Sequence, residues 1–234
     1  MESKPTIHNS RHVTLPLPDF SGSADDHKFR SRFIQCLLHQ PPPQWPTQIG
    51  GEPIPRVLVQ YWHDLKNIPN DVHECLASWE SLRNQGFTRL IFDDERARLF
   101  IGNHFSAAYV EAFDLCYHPA MRCDYFRLCY ILRCGGLYVD ADEVYQGTGC
   151  EAFFSDNKLK IQPLCYDTAT DAMIKPEVFL KDTTYPSGRI FYVNNNPIIG
   201  PAGHQLIQLA LERATCILLQ HSERPEIQST TGPG

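Results

Sequence analysis

Residues 119–134, followed directly by two glycines and an apolar run, constrain the fold of this chain more than any other segment. Pro119 lies in the first turn and Gly135-Gly136 follow the last, the positions that proline and glycine favour at the two ends of a helix. Leu137-Tyr138-Val139 then predicts a short buried strand. A helix that leads straight into a buried strand is typical of an α/β protein.

The same alternation is visible upstream. Residues 57–62, a β-branched and aromatic run after a proline, predict a first strand, and residues 88–92 predict a second. Apolar residues at helical spacing predict a helix over 71–84 between them. Asp93 or Asp94 is placed to cap the next helix, because an acceptor there satisfies free N–H groups. This order predicts an α/β fold with a mostly parallel central sheet flanked by helices.

The N-terminal residues differ from the rest of the chain in composition. The chain contains 18 prolines, and half of them lie in the first 55 residues. Proline fixes φ and removes a hydrogen-bond donor, so regular ladders are difficult to build there. We therefore predict a proline-rich extension over residues 1–50, with one short helix around 27–39, and a second domain over 51–234.

Composition excludes several classes of protein. The 234 residues are 42% hydrophobic and 21% charged, as in globular domains, and the net charge of -6 argues against nucleic acid held on a basic face. No apolar run approaches the roughly 18–20 residues that span a bilayer. The nine cysteines contain no C-x-x-C pair. We predict reduced thiols and a cytoplasmic protein, with a peripheral position at a membrane left open; a secreted disulfide framework is the alternative.

Two carboxylates follow the apolar strand. Asp140 and Asp142 are separated by one residue and are expected at the carboxyl edge of the sheet, where open α/β sheets bind ligands. Negative charge concentrated there is costly without a cation, and Mn²⁺ and Mg²⁺ prefer oxygen ligands. The pair therefore indicates a metal site, with a solvated acidic loop as the alternative, because short acidic pairs are common on surfaces.

Asp124 and Arg127 lie on the preceding predicted helix. Their i, i+3 spacing puts them on one face, which is consistent with a surface ion pair. The alternative is that both reach the cleft beside Asp140 and Asp142, where a carboxylate and a guanidinium could hold sugar hydroxyls and a phosphate. The residues alone leave these two interpretations open.

With these motifs in order, the chain resembles glycosyltransferase family 32 of bacteria and fungi, whose members share a sugar-binding region with a D-x-D motif. The resemblance covers residues 54–234. Its matched segments are residues 54–62, 78–79, 92–94, 122–127 and 135–142, and weaker matches follow at 196–200, 203–204 and 231–233.

The resemblance implies a GT-A-like nucleotide-diphospho-sugar transferase fold and a role for each matched position. Trp62 matches the aromatic residue that lies against the nucleotide base, although a core tryptophan is an equal alternative. Asp124 and Arg127 match the pair that contacts the donor sugar and its phosphate. Asp140 matches the carboxylate that touches the sugar or ribose and metal-bound water, and Asp142 matches the direct ligand of Mn²⁺ or Mg²⁺.

Two positions match only loosely. Asn196 matches a donor-binding residue and His204 matches a family position without an assigned role, but a turn asparagine and a helix-cap histidine explain them as well. Val59 stands where the family usually has a histidine. Family members also continue beyond the position of Gly234 with a segment that closes the site, so the resemblance implies a truncated C-terminus.

The implied function is a metal-dependent transfer of a hexose from UDP- or GDP-hexose to a saccharide or lipid-linked acceptor, with retention of configuration. The alternative is a truncated, catalytically weak or inactive module that binds nucleotide-sugar. A phosphoryl-processing enzyme using the two aspartates is a third hypothesis, but no Walker or Rossmann glycine motif occurs.

Overall fold

The computed structural model describes residues 6–7, 15–16, 24–39, 52–147, 149–182, 187–220 and 227–232. The strands are β1 (Thr6–Ile7), β2 (Leu15–Pro16), β3 (Val57–Tyr61), β4 (Thr88–Phe92), β5 (Gly136–Tyr138), β6 (Lys160–Asp167), β7 (Ala172–Ile174) and β8 (Arg189–Gly200). The helices are α1 (Ala24–His39), α2 (Asn70–Ser78), α3 (Asp94–His104), α4 (Ala107–Leu115), α5 (Pro119–Cys134), α6 (Pro176–Phe179), α7 (Gln205–Gln220) and α8 (Ile227–Thr230), with 3-10 turns at Trp79–Gln85 and Cys150–Phe154.

The chain divides into two compact units. The larger unit comprises residues 47–162 and 195–234, and the smaller comprises residues 1–46 and 163–194. β6 and β8 each pass from one unit into the other along the chain. The expected division into an extension over 1–50 and a domain over 51–234 stays a prediction.

The sheet of the larger unit is mixed. β3 pairs in parallel with β4, from Val57 opposite Thr88 onward, and also in parallel with β5. β8 pairs with β5 in the opposite direction, with Gly136 facing Gly200. The expectation of a mostly parallel sheet is thus correct for β3, β4 and β5 and wrong for β8. A parallel neighbour requires a crossover that carries the chain back to the end of the sheet where the previous strand began, whereas an antiparallel neighbour does not. No local sequence motif marks which of these two connections leads into β8.

Helix α5 has the boundaries that its proline and glycines predicted. Gly135 and Gly136 have φ values of 68° and 115°, which a side chain rarely adopts. A Cβ on Gly135 would lie 2.7 Å from the backbone nitrogen of Ala202, and one on Gly136 would lie 2.8 Å from the carbonyl oxygen of Val57. The two glycines therefore allow α5 to turn directly into β5 against neighbouring backbone.

Other local predictions are confirmed with small differences. β4 has its predicted bounds, and β3 ends one residue early. The helix predicted over 71–84 is α2 followed by the 3-10 turn Trp79–Gln85, which ends at Gly86 with a φ of 81°. Asp93 caps α3, because its side chain accepts a 2.9 Å hydrogen bond from the backbone N–H of Arg96.

The main core of the larger unit surrounds α5. The middle of this helix is buried on every side, so that even Asp124 and Arg127 on it are enclosed by the protein. Its partners come from the sheet, from α3 and α4, and from α7. The fully or nearly fully buried side chains of this core include Val59, Ile101, Phe113, Tyr125, Phe126, Ile131, Tyr138, Ile198, Leu211 and Leu218.

The smaller unit has its own core. β6 and β7 pair antiparallel, with Cys165 opposite Ile174. Cys165, Phe179 and Phe191 are buried together, and Ile34 of α1 packs against them. The predicted short helix therefore exists as α1 and contributes apolar side chains to a core, a contact that the sparse apolar pattern of this region did not indicate.

All nine cysteines are free thiols, so the disulfide alternative is wrong. Within the described ranges, no helix is both long enough and apolar enough to cross a bilayer.

Candidate functional site

A pocket opens where β3 and β5 end and α5 begins, all within the larger unit. The carboxyl ends of parallel strands are the usual ligand edge of an α/β sheet. The pocket has a volume of about 340 Å³. Its lining residues are Tyr61, Trp62, His63, Pro119, Ala120, Cys123, Asp124, Arg127, Asp140, Ala141, Asp142 and Asn195.

The pocket brings together most of the site residues that the sequence predicted. Trp62, Asp124, Arg127, Asp140 and Asp142 all line it, although they come from three separate segments of the chain. Their proximity follows from the parallel pairing of β3 with β5, which puts the residues after both strands at one edge.

His204 is not among the residues that line this pocket. Its Nδ1 accepts a 3.2 Å hydrogen bond from the backbone N–H of Leu206, at the start of α7. The structure therefore favours the helix-cap interpretation of this histidine.

Arg127 is the centre of a buried charge network. Its side chain is only 3% exposed. One terminal nitrogen lies 2.7 Å from Oδ1 of Asp140 and 3.0 Å from Oδ1 of Asp124, and the other donates to the carbonyl and the side-chain oxygen of Asn195, at 2.8 and 2.9 Å. The interpretation of Asp124 and Arg127 as a surface ion pair is therefore wrong. A buried guanidinium is tolerated here because two carboxylates and an amide surround it.

Burial acts to lower the pKa of Arg127, but the groups around it, including Asp140 and Asp124, outweigh burial and raise that pKa above its ordinary value. The Nε of the same side chain is buried without a partner among the described residues. Arg127 thus remains a permanent cation whose two terminal nitrogens are already engaged.

Asp124 is held on both oxygens. Oδ1 accepts a 2.9 Å hydrogen bond from the Asn195 amide, and Oδ2 lies 3.5 Å from the hydroxyl of Thr231, which donates to it. Burial raises the pKa of Asp124 to about 6, although Arg127 and Asn195 act to lower it. The group is therefore an anionic acceptor at neutral pH that takes up a proton under mildly acidic conditions.

Asp140 is oriented by hydrogen bonds of its backbone N–H, to Asn196, and of its side chain, to Arg127. Its N–H donates a 2.9 Å hydrogen bond to Oδ1 of Asn196, and the Asn196 amide donates to Glu143 at 3.2 Å. Asn196 is only 6% exposed and precedes a cis peptide bond to Pro197. These contacts make Asn196 a support for the end of β5; its contact with a donor stays a prediction.

Cys123 and Tyr138 complete the buried side of the network. The Cys123 sulfur lies 2.9 Å from the Tyr138 hydroxyl and donates towards Oδ1 of Asp140 at 3.3 Å. Burial raises the pKa of Cys123 to about 12, so its thiol is neutral at physiological pH. The guanidinium of Arg127 also lies 4.8 Å from the centre of the Tyr138 ring, which adds a cation–π contact.

Asp142 differs from these side chains because it is exposed while it lines the pocket. Within the described ranges, no group of three or more His, Cys, Asp or Glu side chains is arranged to hold a metal. A hard divalent ion needs only one or two carboxylates when substrate phosphates supply the other oxygens. Asp142 and Asp140 therefore fit an ion shared with a diphosphate better than an ion held by protein alone.

Trp62 combines the two interpretations that its sequence context left open. It packs against a small core of Val72, Leu76 and Ala141, and it also lines the pocket. His63 lines the same pocket, and the centre of its ring lies 5.2 Å from that of Trp62. Two aromatic rings, tilted by 43° to each other, thus line the pocket beside the charged network.

Sequence reasoning missed Asn195, Cys123 and the hydroxyl of Tyr138. Asn195 contacts residues about 70 positions earlier in the chain, so no local spacing relates them. The run of three asparagines before Pro197 was the available signal. Cys123 sits inside the matched segment 122–127, but a free thiol there is equally typical of a core position.

No protein-family model matches this chain. In sequence it is similar to an uncharacterized glycosyltransferase of Acanthamoeba polyphaga mimivirus, with 29% identity over 113 residues, which is 46% of this chain and 45% of the viral protein. The match therefore spans less than half the length of that curated relative.

In fold the chain is similar to the PaToxG glycosyltransferase. The TM-score is 0.52 at 14% identity, over 88% of this chain and 73% of that chain. An α/β fold with a mixed sheet, shared with a glycosyltransferase, agrees at the level of architecture with the expected GT-A-like fold. Both similarities thus lead to proteins named glycosyltransferases.

Proposed function

We propose that this chain is a metal-dependent glycosyltransferase of the family 32 type. It would transfer a hexose from UDP- or GDP-hexose to a saccharide or lipid-linked acceptor, with retention of configuration. The observation that carries the proposal is the buried Arg127, which holds Asp124 and Asp140 side by side in a pocket that Asp142 and Trp62 also line. The named relatives support the same class.

The two sides of the pocket suit the two parts of a nucleotide-sugar. Trp62 and His63 offer flat rings to the nucleotide base. Asp124 is an acceptor for sugar hydroxyls, because it is anionic at neutral pH and is held rigidly by Asn195 and Thr231. In this proposal the base and the sugar would lie on opposite sides of the diphosphate.

The diphosphate leaving group gains negative charge as the sugar departs. Asp142, with Asp140 beside it, would hold Mn²⁺ or Mg²⁺ there, and a bound divalent ion supplies Lewis-acid neutralisation of that charge. Asp142 is available for direct contact because it is exposed, whereas Oδ1 of Asp140 is engaged by Arg127 and Cys123.

Arg127 acts in this proposal mainly through the carboxylates. Its terminal nitrogens already bond Asp124, Asp140 and Asn195, and 3% exposure leaves little surface for a phosphate. The charge of Arg127 holds the carboxylates of Asp124 and Asp140 next to each other. Arg127 is therefore a positioning residue for the sugar acceptor and for the metal-side aspartate.

The test is release of nucleoside diphosphate from a panel of UDP- and GDP-hexoses, with and without Mn²⁺. We expect release that depends on Mn²⁺ and falls by about 100-fold or more in Asp142→Asn, which removes one anionic ligand while keeping the side-chain shape. Asp114→Asn is the matched control, because Asp114 is exposed, pairs with Arg98 and lies outside the pocket.

Other outcomes would replace the proposal. Mn²⁺-dependent binding of nucleoside diphosphate by the wild type, with no release from any donor, would favour the binding module. Release that is unchanged in Asp142→Asn would contradict the metal assignment. Phosphate release from simple phosphomonoesters would favour the phosphoryl-processing hypothesis.

A further inference from the structure

The smaller unit has a cavity of its own, between one face of α1 and the start of β8. Its volume is about 670 Å³, within the size range of small-molecule sites. The lining residues are His27, Lys28, Ser31, Arg32, Gln35, Cys36, Ser187, Gly188, Arg189 and Ile190.

The lining of this cavity is basic. Lys28, Arg32 and Arg189 contribute positive charges, and no aspartate or glutamate occurs among the described residues that line it. Arg189 has an acidic partner that is not among the lining residues, because its guanidinium lies 2.6 Å from a carboxylate oxygen of Asp182. The cavity therefore presents an excess of positive charge to a ligand.

Gln35 adds a neutral polar group to this lining. Its residue is only 8% exposed, and it lines the cavity. A side-chain amide both donates and accepts hydrogen bonds, so it can bond a hydroxyl or a phosphate oxygen of a ligand.

The walls of the cavity are held in place by hydrogen bonds. The Ser31 hydroxyl of α1 accepts a 2.8 Å bond from the backbone N–H of Phe191. The carbonyl of Gly188 accepts two 2.9 Å bonds, from the N–H and the hydroxyl of Thr168. Gly188 has a φ of 97°, and a Cβ there would lie 2.9 Å from that hydroxyl. The turn that carries Arg189 is therefore preformed.

We infer that this cavity binds a phosphate-bearing ligand with free hydroxyls, such as a phosphorylated saccharide or polyol. Arg32 and Arg189 bind the phosphate and Gln35 bonds a hydroxyl, because guanidinium groups match phosphate geometry and an amide both donates and accepts. The same chemistry occurs in a free sugar phosphate and in the headgroup of a lipid. This inference does not depend on the proposed function.

The experiment is titration calorimetry of the full chain with glucose 6-phosphate, glucose and inorganic phosphate, together with flotation on phosphatidylcholine vesicles with and without phosphatidic acid. We expect binding of the phosphorylated probes, weakened about tenfold in Arg32→Gln and about fivefold in Gln35→Met. Lys175→Gln is the control, because it removes an exposed positive charge of the same unit outside the cavity. Nucleoside diphosphate release should be unchanged in all three variants.

Each result decides the inference. Binding of glucose 6-phosphate that both cavity variants weaken supports it with a soluble ligand. Binding confined to phosphatidic acid vesicles and weakened by the same variants supports it with a lipid headgroup. Absence of binding to every phosphorylated probe would overturn it. An equal loss in Lys175→Gln and Arg32→Gln would also overturn it, because the attraction would then be general to positive charge.

Discussion

The pocket at the sheet edge and the cavity of the smaller unit differ in how their charges are balanced. In the pocket, Arg127 lies between Asp124 and Asp140, and an amide from Asn195 bonds both the arginine and one aspartate. In the cavity, the described lining residues include Lys28, Arg32 and Arg189 but no carboxylate. The first site balances its buried cation with its own residues, whereas the second presents positive charge to a ligand.

The difference has a chemical consequence. The pocket carries one buried cation against Asp124, Asp140 and Asp142, so its accessible groups are acceptors and anions that favour hydroxyls and a divalent ion. The described lining of the cavity carries an excess of cations, which favours an anion. We therefore expect the two sites to take ligands of opposite charge.

The largest expected effect comes from removing one arginine at each of the two sites. Arg127→Met leaves the buried Asp124 and the partly buried Asp140 without their cation, so we expect a loss of about 3–5 kcal/mol of unfolding free energy. Arg189→Met breaks an ion pair with a single aspartate whose side chain is 24% exposed, and we expect a loss of about 1–2 kcal/mol. Urea denaturation of both variants measures the contrast. Equal losses would mean that the two sites are not held differently.

The second effect is the pH dependence of stability conferred by Asp124. Its pKa in the folded chain is about 6, above the ordinary value of 3.8, because it is buried. The folded state therefore holds a proton that the unfolded state has released, and the resulting stability is present below about pH 4 and lost as the pH rises through 6. Relative to Asp124→Asn, the wild type should lose on the order of 2 kcal/mol between pH 4 and 7.

Parallel urea denaturation curves of the wild type and Asp124→Asn at pH 4, 5, 6 and 7 measure this difference. Asp114→Asn serves as control, since Asp114 is exposed and paired at the surface. A free-energy difference between wild type and Asp124→Asn that is independent of pH would contradict the raised pKa.

A smaller effect should show that Asn195 links Asp124 to Arg127. Asn195→Ala removes the amide that bonds both, and we expect a loss of about 1–2 kcal/mol of unfolding free energy. In a double-mutant cycle with Asp124→Asn, the two losses should not add, because the residues share a hydrogen bond. Additive losses would show that the network is not coupled.

Much of the fold could be predicted where local chemistry is decisive. Pro119 and Gly135-Gly136 set the two ends of α5, and the β-branched run after Pro55 marked β3. The direction of β8 was not predictable in this way, because it depends on which end of the sheet the chain returns to after a long excursion. The same is true of α1, whose Ile34 and Leu38 pack against residues more than 100 positions later.

The candidate site shows a similar division. Asp140 and Asp142 could be placed at a sheet edge because they directly follow an apolar strand. The spacing of Asp124 and Arg127 put them on one helix face but did not distinguish a surface from a buried pair. The assignment of Mn²⁺ or Mg²⁺ and of the donor stays a prediction from the resemblance, with the exposed position of Asp142 in its favour.

What the sequence alone determined were the elements whose boundaries depend on local backbone preference: the helix between its proline and its glycines, the strands of apolar residues, and the carboxylates that follow one of them. The tertiary structure decided which charges are buried. Arg127 is enclosed because Asp140 and Asn195, distant in sequence, pack against α5 and remove water from it. Burial and hydrogen bonding are properties of neighbours in space, so no local pattern specifies them.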